Sequence, residues 1–400
     1  MKRYWKIVSI TVAILLTFGI CYIGAALAKV ELLELELVTI YGDEALIKDI
    51  TINGNFYDEM NQESFRLTDK GITYASELNF LERFSGIYQN PTIEKLIAEH
   101  RGFMRGKENI EIFYEDDTML AYVGPYSQDI NNATFDIAIL DKASNDKHSF
   151  SVRIPREDTF DFNSIIEVQL VGEKLHVFTQ NYYLEEDKVY VYEIDIKEEK
   201  ITNYQPIINT TEKSYVSIQN DYQDVHKQPY LVLSVNEVEW NEELEHEEWV
   251  SSELISYHIE TGKQTTIESP KDWDSNPDDP FNEESYIIEE LAIKDEFLYF
   301  INFSSEGIQV NEYNMEKNEI ESTENIPLEE LVADSIVGAY TDGDQLSFIS
   351  TVQENGNKVR KLFIADIAKG EILYEGEIKM TNTTKEMPNY DIDFYEVNLD

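Results

Sequence analysis

The stretch that decides the fold runs from Ser164 to Ile207 and reads SIIEVQLVGEKLHVFTQNYYLEEDKVYVYEIDIKEEKITNYQPI. It divides into four short apolar segments separated by polar turns at 172–174, 185–187 and 198–199. Alternation such as Val189-Tyr190-Val191-Tyr192 has the period of two that a half-buried strand shows. The stretch therefore predicts a small sheet of four antiparallel strands joined by tight turns.

The same unit recurs along the chain, marked by a leucine that begins a short apolar strand just after a polar turn. The six positions are Leu46, Leu120, Leu175, Leu231, Leu298 and Leu346. They lie 74, 55, 56, 67 and 48 residues apart. Repeated four-stranded units of this length are what a β-propeller requires, because radial packing buries both faces of each sheet and leaves only short edges. We therefore predict an all-β fold, a six-bladed β-propeller of four-stranded antiparallel blades.

Residues 76–107 depart from the repeat, because their apolar residues follow a helical period. Pro91 opens the second piece of this segment, TIEKLIAEHRG, and Gly102 is placed to end it. We predict a short helical insertion at about 76–107. It accounts for the first leucine spacing being the longest of the five.

The segment LISYHIETGKQTTI, Leu254–Ile267, resembles the outer hairpin of many extracellular bacterial β-propellers, whose strands end in turns of the Thr261-Gly262-Lys263 kind. The resemblance extends over about residues 34–377 and implies the propeller fold. Its motifs are generic, so it implies no functional family and no catalytic residue. The closing stretch YDIDFYEVNLD, Tyr390–Asp400, is predicted to add a final strand that fastens the ring.

The amino terminus has the pattern of a membrane anchor. Residues 1–6 are basic, and an uncharged run of 22 residues follows from Ile7 to Ala28. As a helix this run would reach about 33 Å, enough to cross a bilayer. We predict a single-pass transmembrane helix at 7–28, a cytoplasmic start at 1–6 and an extracytoplasmic β-propeller at 30–400. Because Ala26-Leu27-Ala28 fits a cleavage site, secretion after cleavage at Ala28 is the alternative.

Composition narrows the classes of partner. Asp and Glu number 79 against 32 Lys and Arg, a formal net charge of −47. So negative a surface repels nucleic acid and anionic lipid, and it favours cations, basic proteins or simple solubility. The only cysteine, Cys21, lies in the apolar run, so the exported part has no disulfide and depends on its core for stability. An exported part without cysteine suits a Gram-positive type of bacterial surface.

One acidic segment, KDWDSNPDDPFNEES at 271–285, nearly matches the ligand spacing of an EF-hand calcium loop. The candidate metal ligands are Asp272, Asp274, Asn276, Asp278 and Glu283. Pro277 stands where an EF-hand has glycine, and the flanking segments read as strands. Two interpretations follow: a Ca²⁺ site, or an acidic solvated connection between two blades.

The insertion is the least acidic exported region. Arg101, Arg105 and Lys107 are the candidate partner-binding residues, as a docking element for an anionic wall polymer or a partner protein. The competing interpretation is a helix pair held on the acidic ring by salt bridges.

Sequence motifs for catalysis are missing. The chain contains no H-E-x-x-H, no G-x-S-x-G and no phosphate-cradling glycine loop. We therefore predict a non-enzymatic binding module at the bacterial cell envelope, with an envelope protein or cell-wall component as its partner. The alternative is a divalent-cation-dependent hydrolase or lactonase, with its metal in the central channel. Three or more Asp, Glu, Asn or His side chains gathered on the inner strands would favour that alternative.

Overall fold

The computed structural model of the protein describes residues 33–48, 50–57, 62–78, 91–107, 112–124, 133–155, 162–183, 186–211, 213–220, 224–241, 246–270, 288–304, 307–328, 336–342, 344–354, 357–381 and 391–399. Nearly all of them belong to six antiparallel sheets, five of four strands and one of five. Each sheet is a blade of a β-propeller, as the sequence predicts.

Blades 1 to 3 contain twelve of the strands. Blade 1 comprises β25 (Asp391–Leu399), β2 (Ile50–Tyr57), β3 (Gln62–Thr68) and β4 (Gly71–Tyr74). Blade 2 comprises β5 (Phe113–Glu115), β6 (Met119–Gly124), β7 (Thr134–Asp141) and β8 (Lys147–Arg153). Blade 3 comprises β9 (Phe162–Val171), β10 (Lys174–Tyr183), β11 (Glu186–Asp195) and β12 (Lys200–Asn209).

Blades 4 to 6 contain the other thirteen. Blade 4 comprises β13 (Ser214–Ile218), β14 (Tyr230–Asn241), β15 (His246–His258) and β16 (Gln264–Ile267). Blade 5 comprises β17 (Ile288–Lys294), β18 (Phe297–Ser304), β19 (Gly307–Asn314) and β20 (Glu319–Pro327). Blade 6 comprises β21 (Val337–Asp342), β22 (Gln345–Glu354), β23 (Asn357–Asp366), β24 (Glu371–Met380) and, on its outer edge, β1 (Leu35–Gly42).

Neighbouring blades meet at their first strands, in the order given above: β21 contacts β25, and β5 contacts β9. These first strands therefore face the ring axis. The turns that join first to second strands lie on one side of the ring, which we call the lower face. Gly172 at the β9–β10 turn and Gly262 at the β15–β16 turn have φ of +63° and +70°, a conformation that glycine adopts without strain.

The ring is fastened by both ends of the described chain. The carboxyl-terminal strand β25 is the inner strand of blade 1 and pairs with β2, which confirms the predicted closing strand. At the opposite end, β1 pairs with β24 on the outside of blade 6. The Tyr74 hydroxyl of blade 1 also donates to the Leu33 carbonyl oxygen at 2.8 Å, which ties the segment before β1 to blade 1.

Five of the six predicted leucine positions are equivalent. They start the second strand of their blades and are fully buried: Leu120, Leu175, Leu231, Leu298 and Leu346. The prediction for Leu46 is wrong. Leu46 lies in a 3₁₀ turn, Glu44–Ile47, which the Asp43 carboxylate begins by accepting from the Ala45 N–H at 2.9 Å. The equivalent residue of blade 1 is Ile52, which pairs with Leu67.

Apolar clusters join five of the six neighbouring blade pairs. Aromatic contacts mark three of them, with ring centroids 5.1–5.8 Å apart: Phe135–Tyr192 between blades 2 and 3, Phe178–Tyr257 between blades 3 and 4, and Phe303–Phe348 between blades 5 and 6. Two further clusters join blade 4 to blade 5 and blade 6 to blade 1. Edge-to-face aromatic pairs of this kind add to the burial energy of the core.

The sixth junction, between blades 1 and 2, is different because the helical insertion lies there. Helix α1 (Pro91–His100) places Ile93 and Leu96 in the core of blade 2. On its other side Arg66 of β3 donates two hydrogen bonds to the Glu94 carboxylate, both at 3.2 Å. Within the described residues no apolar cluster joins blade 1 to blade 2, and the hydrogen bonds of Arg66 to Glu94 link α1 to blade 1.

The helical insertion is confirmed for its second piece, while 79–90 lie outside the described residues. The predicted transmembrane segment 7–28 also lies outside them. Among the helices that the structure describes, none has the length and apolar character to cross a bilayer.

Candidate functional site

A long connection on the lower face has several titratable groups on it and beside it. Blade 4 joins β13 to β14 through residues 219–229, where the turns β9–β10 and β17–β18 need only two residues. We call residues 219–220 and 224–229 the strap, since 221–223 lie outside the described residues. Asn220 fixes its base by accepting from the Val232 N–H at 2.7 Å and donating to the Tyr230 carbonyl at 2.9 Å.

The strap crosses the lower ends of the inner strands of blades 3 and 2. On β9, the Gln169 side chain donates to the His226 carbonyl and accepts from the Gln228 N–H, both at 3.0 Å. On β5, the Glu115 N–H donates to the Val225 carbonyl at 2.7 Å. The Val225 side chain is buried in the core shared by blades 2 and 3. The strap is therefore anchored by backbone and side chain rather than lying loosely on the surface.

Glu167 is a buried carboxyl beneath the strap. It lies on β9, is 6% exposed, and accepts from the Val168 N–H at 2.8 Å and from the Gln169 amide at 3.1 Å. Burial raises the pKa of Glu167 to about 8, and the charge of Asp224 adds to this effect. Glu167 is therefore a neutral acid at neutral pH. Because a substrate has no access to it, its role is structural.

Asp224 and His226 form an ion pair on the strap. The His226 ring Nδ1 lies 2.9 Å from the Asp224 carboxylate, which also accepts from the His226 N–H at 2.8 Å. The hydrogen bond to Asp224 raises the pKa of His226, and the charge of Glu115 adds to it, while Lys95 opposes it. Burial works against ionisation of Asp224, yet its hydrogen bonds, chiefly those from His226, lower its pKa below the ordinary value.

Three potential metal ligands meet where α1 ends beside the strap. Glu99, His100 and Glu115 each offer one ligand atom, and these three atoms lie within 4.8 Å of one another. Glu115 is 9% exposed and forms an ion pair with Lys142 at 2.6 Å. Two carboxylates and an imidazole are a donor set suited to a divalent cation. Only Glu115 of the three lies on an inner strand, so this cluster does not meet the criterion of three such side chains gathered on the inner strands.

The predicted partner-binding residues lie in the turn after α1. Arg101 and Arg105 are exposed, whereas Lys107 is half-buried. The Lys107 ammonium donates to the Phe103 carbonyl at 2.7 Å and lies 5.0 Å from the Tyr122 ring centroid. Burial lowers the pKa of Lys107, and the neighbouring Lys147 adds to this effect. Lys107 thus packs against blade 2, and the arginines are the cations that face solvent.

The predicted calcium ligands lie outside the described residues. They are Asp272, Asp274, Asn276, Asp278 and Glu283. The Ca²⁺ site stays a prediction.

Sequence reasoning missed the cluster around Glu115. His100 and His226 were visible as isolated histidines far apart in the chain, without a metal-binding motif. Glu99 and His100 reach Glu115 because the helical insertion ends beside blade 2, and the strap with His226 comes from a second departure from the repeat, the long β13–β14 connection. The length of that connection was the one available signal.

No protein-family model matches the chain, and a comparison with curated proteins finds no similar sequence. Among solved structures, Porphyromonas gingivalis dipeptidyl peptidase 4 is 13% identical, with 78% of this chain and 42% of that chain covered and a TM-score of 0.35. The polysaccharide lyase Uly1 is 10% identical, with 67% and 57% covered and a TM-score of 0.35. The Dos1 propeller is 9% identical, with 68% and 57% covered and a TM-score of 0.28. The chain spans less than two-thirds of each, and likenesses this distant carry no argument about activity.

Proposed function

We propose that this propeller is a non-enzymatic binding module of the bacterial cell envelope, held at the membrane by residues 7–28 and directed at an anionic cell-wall polymer. The observation that supports the proposal is a local basic patch on a chain of net charge −47. The patch consists of Arg101, Arg105, Lys107 and Lys147. Lys147 belongs to the patch because its ammonium group lies close to Gly102: a Cβ atom at that position would be 3.0 Å from the Lys147 Nζ.

The patch attracts an anionic polymer only where dissolved salt screens the negative charge of the rest of the protein. At physiological ionic strength the Debye length is about 8 Å, so a bound polymer experiences the nearby cations and little of the distant carboxylates. At about 0.01 M salt the Debye length is about 30 Å, and the net negative charge repels the same polymer. Binding is therefore expected to be strongest at intermediate salt, in contrast to a uniformly basic protein.

The experiment is co-sedimentation of the full-length protein with purified cell-wall fragments across a salt series. Arg101→Ala together with Arg105→Ala is expected to weaken binding about tenfold. The matched control, Lys48→Ala with Lys263→Ala, removes two exposed cations elsewhere and leaves binding unchanged. Equal loss in both double variants, or no sedimentation of the wild type, rejects the proposal.

The membrane attachment has its own test. A retained anchor at 7–28 predicts that the protein stays with membranes through an alkaline wash and begins at its native amino terminus. Cleavage after Ala28 predicts a chain that begins at Lys29 and appears in the medium.

A divalent-cation-dependent hydrolase or lactonase is the second candidate, with the Glu99–His100–Glu115 cluster as its metal site, although only Glu115 of the three lies on an inner strand. It is tested by assaying ester and lactone hydrolysis with added Zn²⁺, Mn²⁺ or Ca²⁺. Metal-dependent turnover that Glu115→Gln abolishes would support it over the binding module.

A further inference from the structure

We propose that Glu99, His100 and Glu115 form a binding site for a zinc-type divalent cation, with Lys142 as the cation that neutralises Glu115 when no metal is bound. The site goes beyond the binding function proposed above and does not depend on it. It also differs from the acidic segment at 271–285.

The ligand atoms are held on rigid elements. Glu115 is fixed in β5, whose backbone N–H bonds to the strap. His100 is fixed because its carbonyl accepts from the N–H groups of Phe103 and Met104, at 2.7 and 3.0 Å. Both of those residues are buried in the core of blade 2. Zinc bonds to nitrogen and oxygen are about 2.0–2.2 Å, so three donors within 4.8 Å of one another need only rotamer adjustments to reach one ion.

The donor set indicates the class of metal. Calcium and magnesium take oxygen ligands, whereas imidazole suits zinc and related transition metals. One imidazole with two carboxylates therefore favours Zn²⁺.

Lys142 and a bound ion would share the Glu115 carboxylate. Its ammonium lies 2.6 Å from one Glu115 oxygen and neutralises that buried carboxylate. A buried carboxylate is costly without a countercharge, so a cation is needed there in either state. The ion and Lys142 therefore compete, and binding displaces the ammonium toward solvent.

The test is calorimetric titration of the full-length protein with Zn²⁺ in a large excess of Mg²⁺, which occupies weak surface carboxylates. One ion per chain is expected. His100→Ala is expected to weaken binding at least tenfold. His148→Ala is the matched control, because His148 also faces a carboxylate, that of Glu199 at 3.1 Å, but lies outside the cluster. It is expected to leave the affinity unchanged.

Lys142→Gln gives the sharper result, since removing the competitor is expected to tighten Zn²⁺ binding at least threefold. A wild type without saturable Zn²⁺ binding, or losses as large for His148→Ala as for His100→Ala, overturns the site. An unchanged affinity in Lys142→Gln overturns the assignment of Lys142 as the competitor. Cell-wall binding is measured separately, so its failure and the failure of this site are distinguishable.

Discussion

Ile52 of β2 lies directly opposite Val397 of β25, although the two residues come from opposite ends of the chain. Both are fully buried, at 0% and 1% exposure, in the cluster that joins blade 6 to blade 1. The pairing means that blade 1 cannot form its inner strand until β25 has been made. Closure of the ring is therefore a long-range event that depends on β25.

Val397→Asp is expected to disrupt the pairing of β25 with β2 that closes the ring. A carboxylate at that position is buried without a partner, which costs at least ~3 kcal/mol. The control is Tyr395→Asp, which introduces the same group on the same strand at a position that is 45% exposed. Chemical denaturation should show a large loss for Val397→Asp and a small one for Tyr395→Asp. Similar losses in both variants would contradict the closure.

The sequence was sufficient for the repeat because strand alternation and polar turns are local signals. It failed at Leu46 because ALIKDI has the local appearance of a strand start, while the Asp43 cap turns the chain into a 3₁₀ helix. It also could not reveal the cluster around Glu115. Which loop crosses which blade depends on tertiary packing, and no spacing rule connects His100 to Glu115.

Alanine substitutions at Leu298 and Leu46 test the finding that Leu46 does not hold the equivalent position in its blade. Leu298→Ala leaves a cavity between blades 4 and 5 and is expected to cost ~2–5 kcal/mol. Leu46 is only half-buried, so Leu46→Ala is expected to cost ~1 kcal/mol or less. Free energies of unfolding from denaturant titrations decide the matter. Equal costs would restore the sequence-based assignment of Leu46.

The ion pair that links α1 to blade 1 predicts a measurable coupling between Arg66 and Glu94. Their side chains are 15% and 39% exposed and joined by two hydrogen bonds, so a double-mutant cycle with alanine is expected to give about 1 kcal/mol. The matched pair is Lys197 with Glu173, also an ion pair but 70% and 71% exposed, for which about 0–0.5 kcal/mol is expected. If the two cycles give the same coupling, α1 is not fastened to blade 1 through Arg66.

Glu167 predicts how stability depends on pH. Its folded pKa of about 8 lies above the ordinary value of 4.5, so the folded state holds a proton that the unfolded chain releases. Its contribution is fully present below about pH 4.5 and is lost as pH rises through about 8. Glu167→Gln removes this loss and should stabilise the protein increasingly from pH 5 to pH 9, by at most ~5 kcal/mol at about 1.4 kcal/mol per pH unit.

The measurement is the free energy of unfolding of wild type and Glu167→Gln at each pH, with Glu36→Gln as the exposed control on β1. The difference between Glu167→Gln and wild type should grow with pH, while that of Glu36→Gln stays flat. Limited proteolysis of the strap gives a second readout, because ionised Glu167 repels Asp224 and loosens the contacts of Gln169. Wild-type cleavage at the strap should therefore increase above pH 8 and do so less in Glu167→Gln. A pH-independent difference between the two proteins would show that Glu167 is already ionised in the folded state.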